Sequence, residues 1–320
     1  MNKKLLGKST LEITPIGFGA WAIGGPWRWG WGKQNDAESI KTIHKALDMG
    51  INWIDTAAIY GLGHSEEIIR KALNTVPNKP LIFTKCGLIW DSRNKISNSL
   101  RRSSVENEVD NSLRRLGVDV IDLYQIHWPN PNEEIEEAWE TMVELQQKQK
   151  VRYIGVSNFS VEQIKRVEQK YPVTSLQPPY SPIDRHIEKE ILPYCQEKQI
   201  GVINYSPMAS GLLSGNMTRE RIKNLPADDW RRKSNHFREP QLSRNLNLAE
   251  RLKKIGDRYD CTAGAVAIAW TLKNPAITAA IVGLRKIDQV GSVLKAVEIE
   301  LTGEDIDIIE DFINSDPKKD

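Results

Sequence analysis

Four residues of four chemical types stand out in the chain: Asp55, Tyr60, Lys85 and His127. Each ends or closely follows a short apolar run. Asn52-Trp53-Ile54 leads to Asp55, with Tyr60 in the loop beyond; Pro80 to Lys85 and Ile121 to Ile126 are the other two runs. Singly, each residue has an ordinary explanation. An Asp before Thr forms turns, a Lys after Phe-Thr snorkels to water, and a lone His satisfies a neighbour's hydrogen bond. Placed on one rim, they form a proton-transfer set. A phenol with a pKa of about 10 is a weak acid for protonating an alkoxide near neutral pH. A Lys ammonium beside it would stabilise the phenolate and lower that pKa, and an Asp would hold the Lys charged and in place. A neutral His can donate a hydrogen bond to a carbonyl oxygen and polarise it. Acid plus polariser is what reduction of a carbonyl by external hydride requires, and the hydride must come from a cofactor.

The four share a rim only if their strands run parallel, side by side. The chain of 320 residues alternates short apolar runs with helical patterns throughout. Strands are expected at 13–19, 52–55, 80–85, 121–126, 152–157, 174–177, 201–205 and 279–282. Helices fall between them: 36–49 with Ile40, Ile43, Ala46 and Leu47 on one face, one from an N-capping Ser65, 99–116 stopped at Gly117, and 133–149. Ser160 and Gln163 have the spacing of a capping box. Parallel strands need helical crossovers. The pattern predicts a (β/α)8 TIM barrel forming one domain over 1–320, preceded by a β-hairpin and carrying extra C-terminal helices. A doubly wound sheet is the competing architecture, and periodicity does not separate the two. In a barrel, functional residues sit at the C-terminal strand ends. That rim would also carry Ser157, Asn158, Gln177 and Tyr205.

The 44 basic and 42 acidic residues leave a net charge of +2, with no like-charged run suited to nucleic acid or a membrane surface. The N-terminus lacks an apolar signal region, and no apolar stretch approaches the roughly 20 residues of a membrane span. Cys86, Cys195 and Cys261 fit neither a disulfide framework nor a metal site. A soluble, cytoplasmic protein without a metal is expected. Gly17-Phe18-Gly19-Ala20-Trp21-Ala22 reads as a dinucleotide fingerprint, but Gly24-Gly25-Pro26 follows and cannot open the required helix. Among the ten tryptophans, Trp139 and Trp270 have core spacing. Trp21 and Trp128 follow strand ends and would line an apolar substrate pocket. Trp27, Trp29, Trp31 and Trp90 fit either the pocket mouth or a subunit contact, which leaves a homo-oligomer open.

The runs Gly17-Phe18-Gly19-Ala20-Trp21, Asp55-Thr56-Ala57-Ala58-Ile59-Tyr60-Gly61, Ile126-His127-Trp128-Pro129, Ile154-Gly155-Val156-Ser157-Asn158-Phe159 and Tyr205-Ser206-Pro207 resemble those of the aldo/keto reductase superfamily. The likeness is greatest to the bacterial branch that resembles potassium-channel β-subunits, and it covers nearly the whole chain. It implies an NADP(H)-dependent reductase of small aldehydes or ketones, with Tyr60 as general acid, Lys85 and Asp55 tuning it, and His127 orienting the carbonyl. Ser157, Asn158 and Gln177 would hold the nicotinamide carboxamide, with Tyr205 stacked on the ring. The loop of Ser206, Pro207, Ser210, Gly211 and Leu212 would wrap the pyrophosphate. Gly283, Arg285 and Lys286 would hold the adenosine phosphate, with Gln289 near the adenine. The segment 214–240 resembles a cofactor-covering loop. One position departs: Val293 stands where many relatives carry an adenine-contacting Asn. Two other readings use the same residues, an NADP(H)-binding regulatory subunit with negligible turnover and a polyol dehydrogenase.

Overall fold

The computed structural model describes residues 1–315. Two short strands, β1 (Lys4–Leu5) and β2 (Glu12–Ile13), pair antiparallel ahead of the main sheet. Then follow β3 (Ile16–Gly19), α1 (Asp36–Asp48), β4 (Trp53–Asp55), α2 (His64–Leu73), β5 (Leu81–Cys86) and a hairpin of β6 (Leu88–Trp90) and β7 (Ile96–Asn98). The middle comprises α3 (Arg102–Leu116), β8 (Ile121–Ile126), α4 (Ile135–Gln147), β9 (Val151–Ser157), α5 (Val161–Glu168), β10 (Ser175–Gln177), α6 (Ile191–Lys198) and β11 (Gly201–Tyr205). The last part comprises α7 (Arg219–Lys223), α8 (Gln241–Arg258), α9 (Ala263–Lys273), β12 (Ile277–Gly283), α10 (Ile287–Leu294) and α11 (Gly303–Asn314).

Strands β3, β4, β5, β8, β9, β10, β11 and β12 close into a parallel barrel, with β9 paired to β10 and β12 paired to β3. Closure excludes the doubly wound sheet. Local signals start and stop its helices. Ser160 and Gln163 form the capping box of α5, and α3 ends where Gly117 adopts φ 66°, a conformation cheap only for glycine. The main apolar cluster lies between barrel and helices, and it takes in Trp139 and Trp270. A second cluster fills the barrel. Trp53, Phe83, Leu123 and Ile203 point inward, and Leu6, Leu11 and Ile13 of the N-terminal hairpin plug the end beneath them. Trp53 donates its indole N–H to Thr14 O at 2.9 Å. At Gly17 a Cβ would lie 2.2 Å from the Trp53 ring, so this glycine serves close packing inside the barrel rather than phosphate binding. With one mouth sealed by apolar side chains, the other is left to hold the polar groups inside the barrel.

Two expectations need correction, and one element is additional. Ile13 belongs to the N-terminal hairpin, and the first barrel strand starts only at Ile16. Ser65 is not the N-cap of α2: the helix starts at His64 after Gly63 at φ 99°, and the buried Ser65 hydroxyl donates to Ala20 O at 3.1 Å. The β6–β7 hairpin was not foreseen, because two three-residue strands carry too little periodicity. Among the described residues, no helix is long and apolar enough to cross a membrane.

Candidate active site

Strands β4 and β5 lie side by side, so Asp55 and Lys85 project into the same end of the barrel. The Lys85 ammonium donates to Asp55 Oδ2 at 2.7 Å and to Thr56 O at 2.8 Å, and reaches the Tyr60 hydroxyl at 3.5 Å. Both charged side chains are almost wholly out of water, at 0% and 3% exposure. Tyr60 lies in the turn after β4, its ring 5.7 Å from the His127 imidazole and nearly perpendicular to it. All four predicted residues therefore meet at one place.

Burial decides their protonation. It pushes the Tyr60 phenol well above its usual pKa of 10, and the Asp55 carboxylate and the neighbouring Tyr205 phenol push it the same way. This is the reverse of the lowering expected from a Lys85 ammonium beside it. The ammonium is tied to Asp55 and Thr56 O and stands at the far limit of hydrogen-bond reach of the phenol, so desolvation wins. Burial also lowers Lys85, an effect opposed by Asp55. His127 is driven well below its usual pKa of 6.5 by burial first and the Lys85 charge second. The site thus holds a neutral phenol and a neutral imidazole, the two forms able to donate to a carbonyl oxygen.

The remaining strand ends are linked to this set. Gln177 Nε2 donates to Asp55 Oδ1 at 2.8 Å and, more weakly, to Gln125 Oε1 at 3.3 Å. Gln125, a buried amide one residue before the end of β8, carries no local signal that marks it. Ser157 Oγ donates to Gln177 O at 2.8 Å. Asn158, at φ 62°, donates to His127 O and to Ser157 Oγ, each at 3.0 Å, and accepts from the Tyr205 hydroxyl at 2.9 Å. Strained left-handed residues gather next to it: Ser206, Ala209 and Ser210 have φ of 56°, 47° and 57°. Such clusters occur at ligand clamps, and turns of this kind expose N–H groups that suit phosphate.

A single cavity of about 910 Å³ joins these parts. It runs from Asp55, Tyr60 and His127 past Gln177, Tyr205 and Ser210 to Gly283, Arg285 and Gln289. That is room for a dinucleotide and a small substrate together. Ser157, Asn158, Ser206, Pro207 and Gly211 also border it. Three predicted residues do not. Lys85 is sealed behind Asp55 and Tyr60. Leu212 is buried in an apolar cluster with Met217, Phe237 and Leu242, and Lys286 is exposed outside the cavity. Val293 is buried in the main apolar cluster, so an adenine contact would not come from its side chain.

Arg285 is half-buried, and its guanidinium is not free. Its guanidinium donates to Gln34 Oε1 at 2.8 Å, Lys33 O at 2.9 Å and Trp31 O at 3.3 Å, stitching the 31–34 loop to the barrel. Gln289 Oε1 accepts from the Arg285 and Lys286 N–H groups at 2.8 and 3.1 Å. Arg231, in the loop before α8, lies against the other face of this wall: it pairs with Asp229 at 2.6 Å and stacks over Trp31 at 4.8 Å. Arg231 lies within the 214–240 segment that resembles a cofactor-covering loop.

Tryptophans form the other wall. Trp21 makes edge contacts with Trp27, Trp31 and Trp230 at centroid distances of 6.4, 5.1 and 6.1 Å. Trp27, Trp29, Trp31 and Trp230 border the cavity, which answers the pocket-mouth question for the first three; Trp90 stacks instead on Arg115, outside it. Trp128 stacks on His127 and is 44% exposed, so one face is open to a ligand. Trp128→Ala should therefore raise KM for apolar carbonyls by roughly fivefold, an aromatic contact of about 1 kcal/mol, and leave the smallest substrates nearly unaffected. Trp21→Ala removes three ring contacts as well, and its KM losses should be broader. Equal losses for large and small substrates in Trp128→Ala would place that residue outside the substrate site.

A parallel barrel with a buried Tyr–Lys–Asp set and a half-buried His beside a dinucleotide-sized cleft defines an oxidoreductase of carbonyl groups that works with a nicotinamide cofactor. Residues 15–314 match the model of the Aldo/keto reductase family, and the chain belongs to that family. It is 39% identical over 298 residues to the aldo-keto reductase YhdN of Bacillus subtilis (strain 168), covering 92% of this chain and 88% of that protein. Identity to the NADH-specific methylglyoxal reductase of Escherichia coli (strain K12) is 32% over 325 residues, 98% of each chain. The structure of the glycerol dehydrogenase from Gluconobacter oxydans superposes with a TM-score of 0.89 at 37% identity, over 98% of this chain and 95% of that one.

Proposed function

We propose that the protein is an NADPH-dependent reductase of small aldehydes and ketones, with Tyr60 as proton donor. The observation that carries this reading is the Lys85 ammonium, buried and shared between Asp55 and the Tyr60 hydroxyl, at one end of a dinucleotide-sized cleft. The cofactor, when bound, supplies the hydride. The residues of this chain do the rest. Gln177, Asn158 and Ser157 present amide and hydroxyl groups to a carboxamide, and Tyr205 offers a ring face. The neutral His127 imidazole orients and polarises the substrate oxygen. The Tyr60 phenol gives that oxygen its proton, and Lys85 stabilises the phenolate as it forms. Asp55 keeps Lys85 charged despite its burial. The tryptophan walls exclude water and favour substrates with an apolar body. The three free cysteines, two of them buried, accord with a cytoplasmic setting.

Preference for NADPH rests on the guanidiniums of Arg285 and Arg231, which border the same end of the cavity. A 2′-phosphate there would meet two cations. NADH dependence is a second reading, favoured by one observation: the Arg285 side chain already donates to Gln34, Lys33 and Trp31. Arg285→Ala separates them. Loss of a charge-assisted bond to phosphate should weaken NADPH binding by about tenfold to a hundredfold and leave NADH binding nearly unchanged. Equal weakening of both cofactors, or a wild-type preference for NADH, would overturn the NADPH assignment. Steady-state turnover of the wild-type protein with a panel of aldehydes tests the reductase reading itself. Tight cofactor binding without turnover would mark a cofactor-binding subunit instead.

A further inference from the structure

Glu108 is a buried carboxyl to which the chemistry above gives no task. It lies on α3, behind β5, at 7% exposure. Both of its oxygens accept from one donor, the Gly87 N–H, at 3.1 and 3.0 Å, and the Ser104 hydroxyl donates to Oε1 at 3.3 Å. Gly87 is where the chain leaves β5 for the β6–β7 hairpin. Its φ is 95°, and a Cβ there would lie 2.8 Å from Leu100 Cδ2, so the pivot is fixed by both conformation and space. Two residues of that hairpin, Leu88 and Asn98, border the cavity.

The same peptide unit reaches the reaction centre. Its other end, Cys86 O, accepts from the His127 N–H at 3.0 Å. Glu108 therefore grips one peptide plane whose N–H side carries the hairpin wall and whose C=O side holds the backbone of His127. The hairpin is gripped a second time farther out, where Trp90 lies on the Arg115 guanidinium at 5.7 Å and Arg115 pairs with the buried Glu66 at 2.7 Å.

We propose that Glu108 is a positioning residue for the carbonyl substrate, setting the β6–β7 wall and the His127 backbone through the Cys86–Gly87 peptide. This rests on the reductase reading above. The groups facing Glu108 are Arg115 and Ser104 of α3, Glu66 of α2, Cys86 of β5 and Tyr124 of β8. Arg115 is committed to Glu66, so Glu108 has no cation of its own. Burial raises its carboxyl to about 7, against the lowering pull of the Gly87 and Ser104 hydrogen bonds and of Arg115. A charged carboxylate accepts a stronger bond from Gly87 than a neutral carboxyl does. The wall is therefore held more firmly above about pH 7 and loosens as pH falls through that value. Stability runs the opposite way. A carboxyl raised above its unfolded pKa contributes stability that is complete below the ordinary carboxyl range and is lost as pH rises through about 7.

The test compares full-length wild type with Glu108→Leu and Glu108→Gln. It measures NADPH affinity by fluorescence titration, KM and kcat for an aromatic aldehyde, and hydrogen exchange over residues 87–100. In Glu108→Leu, KM should rise by about tenfold or more while kcat and NADPH affinity change far less. Exchange should quicken over 87–98 and stay unchanged in the barrel strands. In Glu108→Gln the amide oxygen still accepts from Gly87, so KM stays near wild type. It should lose the rise that wild type shows as pH falls through neutrality. That variant should also lose less thermal stability than wild type between about pH 6 and pH 8.5. Unaltered exchange in the hairpin, equal loosening of the whole barrel, or a Glu108→Gln pH profile that follows wild type would each overturn the proposal. If Glu108→Leu does not fold, the pH profile of Glu108→Gln decides alone. If wild type has no turnover, the reductase reading fails, and hairpin exchange decides whether Glu108 anchors that wall.

Discussion

Tyr60→Phe should lower carbonyl reduction by about 10²–10⁴-fold, the usual contribution of a positioned general acid, while NADPH affinity and thermal stability stay close to wild type. The change removes one oxygen and little packing. The Tyr60 ring lies 5.9 Å from Trp27 and 5.7 Å from His127, contacts that a Phe ring keeps. Lys85 is not orphaned either, because Asp55 and Thr56 O remain its partners. The pH profile adds a second check. Burial, Asp55 and Tyr205 all push the Tyr60 phenol upward, so its protonated form persists through neutrality. Reduction by wild type should then show no loss attributable to this group between about pH 6 and pH 9. Turnover of the Phe variant within a few-fold of wild type would remove Tyr60 from the mechanism.

Lys85→Met should be damaging in a different way, costing both activity and stability. Removing one member of a buried ion pair leaves an uncompensated charge, at about 3–5 kcal/mol. Here the remaining member is Asp55, with Gln177 Nε2 as its side-chain partner at 2.8 Å. For a chain of this size the melting temperature should fall by roughly 10 °C. A double substitution separates the two effects. Adding Asp55→Asn removes the stranded charge and should recover most of the lost stability, so the two changes are far from additive. Turnover should not recover, because nothing then stabilises the phenolate of Tyr60. A single variant that melted like wild type would mean that the buried pair is not held as described. A double variant that regained turnover would make Lys85 a structural residue.

The four reacting groups were legible in the sequence because their placement depends on local rules. A strand alternates its faces and a parallel barrel puts strand ends on one rim, so the polar residue closing each apolar run falls beside its neighbours. Asp55, Lys85 and His127 follow from that rule, and Gln177, Ser157 and Tyr205 follow from it too. The capping box of α5 and the Gly117 stop of α3 were local in the same sense, with both partners within one turn of helix. The β6–β7 hairpin was not legible, although Leu88 and Asn98 border the cavity. Its strands are three residues long, and what fixes it is a carboxyl on the following helix.

The tertiary structure alone decided the electrostatics and the far wall of the cleft. Placement on one rim suggested that Lys85 would lower the phenol pKa. Depth of burial sets the opposite direction, and no local pattern records how deeply a side chain is buried. The family resemblance implied a phosphate ligand at Arg285. Its partners lie 251 to 254 residues away, on the loop that also carries the tryptophan cluster. Gln125 escaped notice because it touches the site only through Gln177, across the barrel interior. The sequence by itself determined which chemical groups stand at the strand ends and therefore what reaction they can support. Which groups are desolvated, and which cation is already committed to another loop, depends on contacts between distant segments. Those exist only once the barrel has closed.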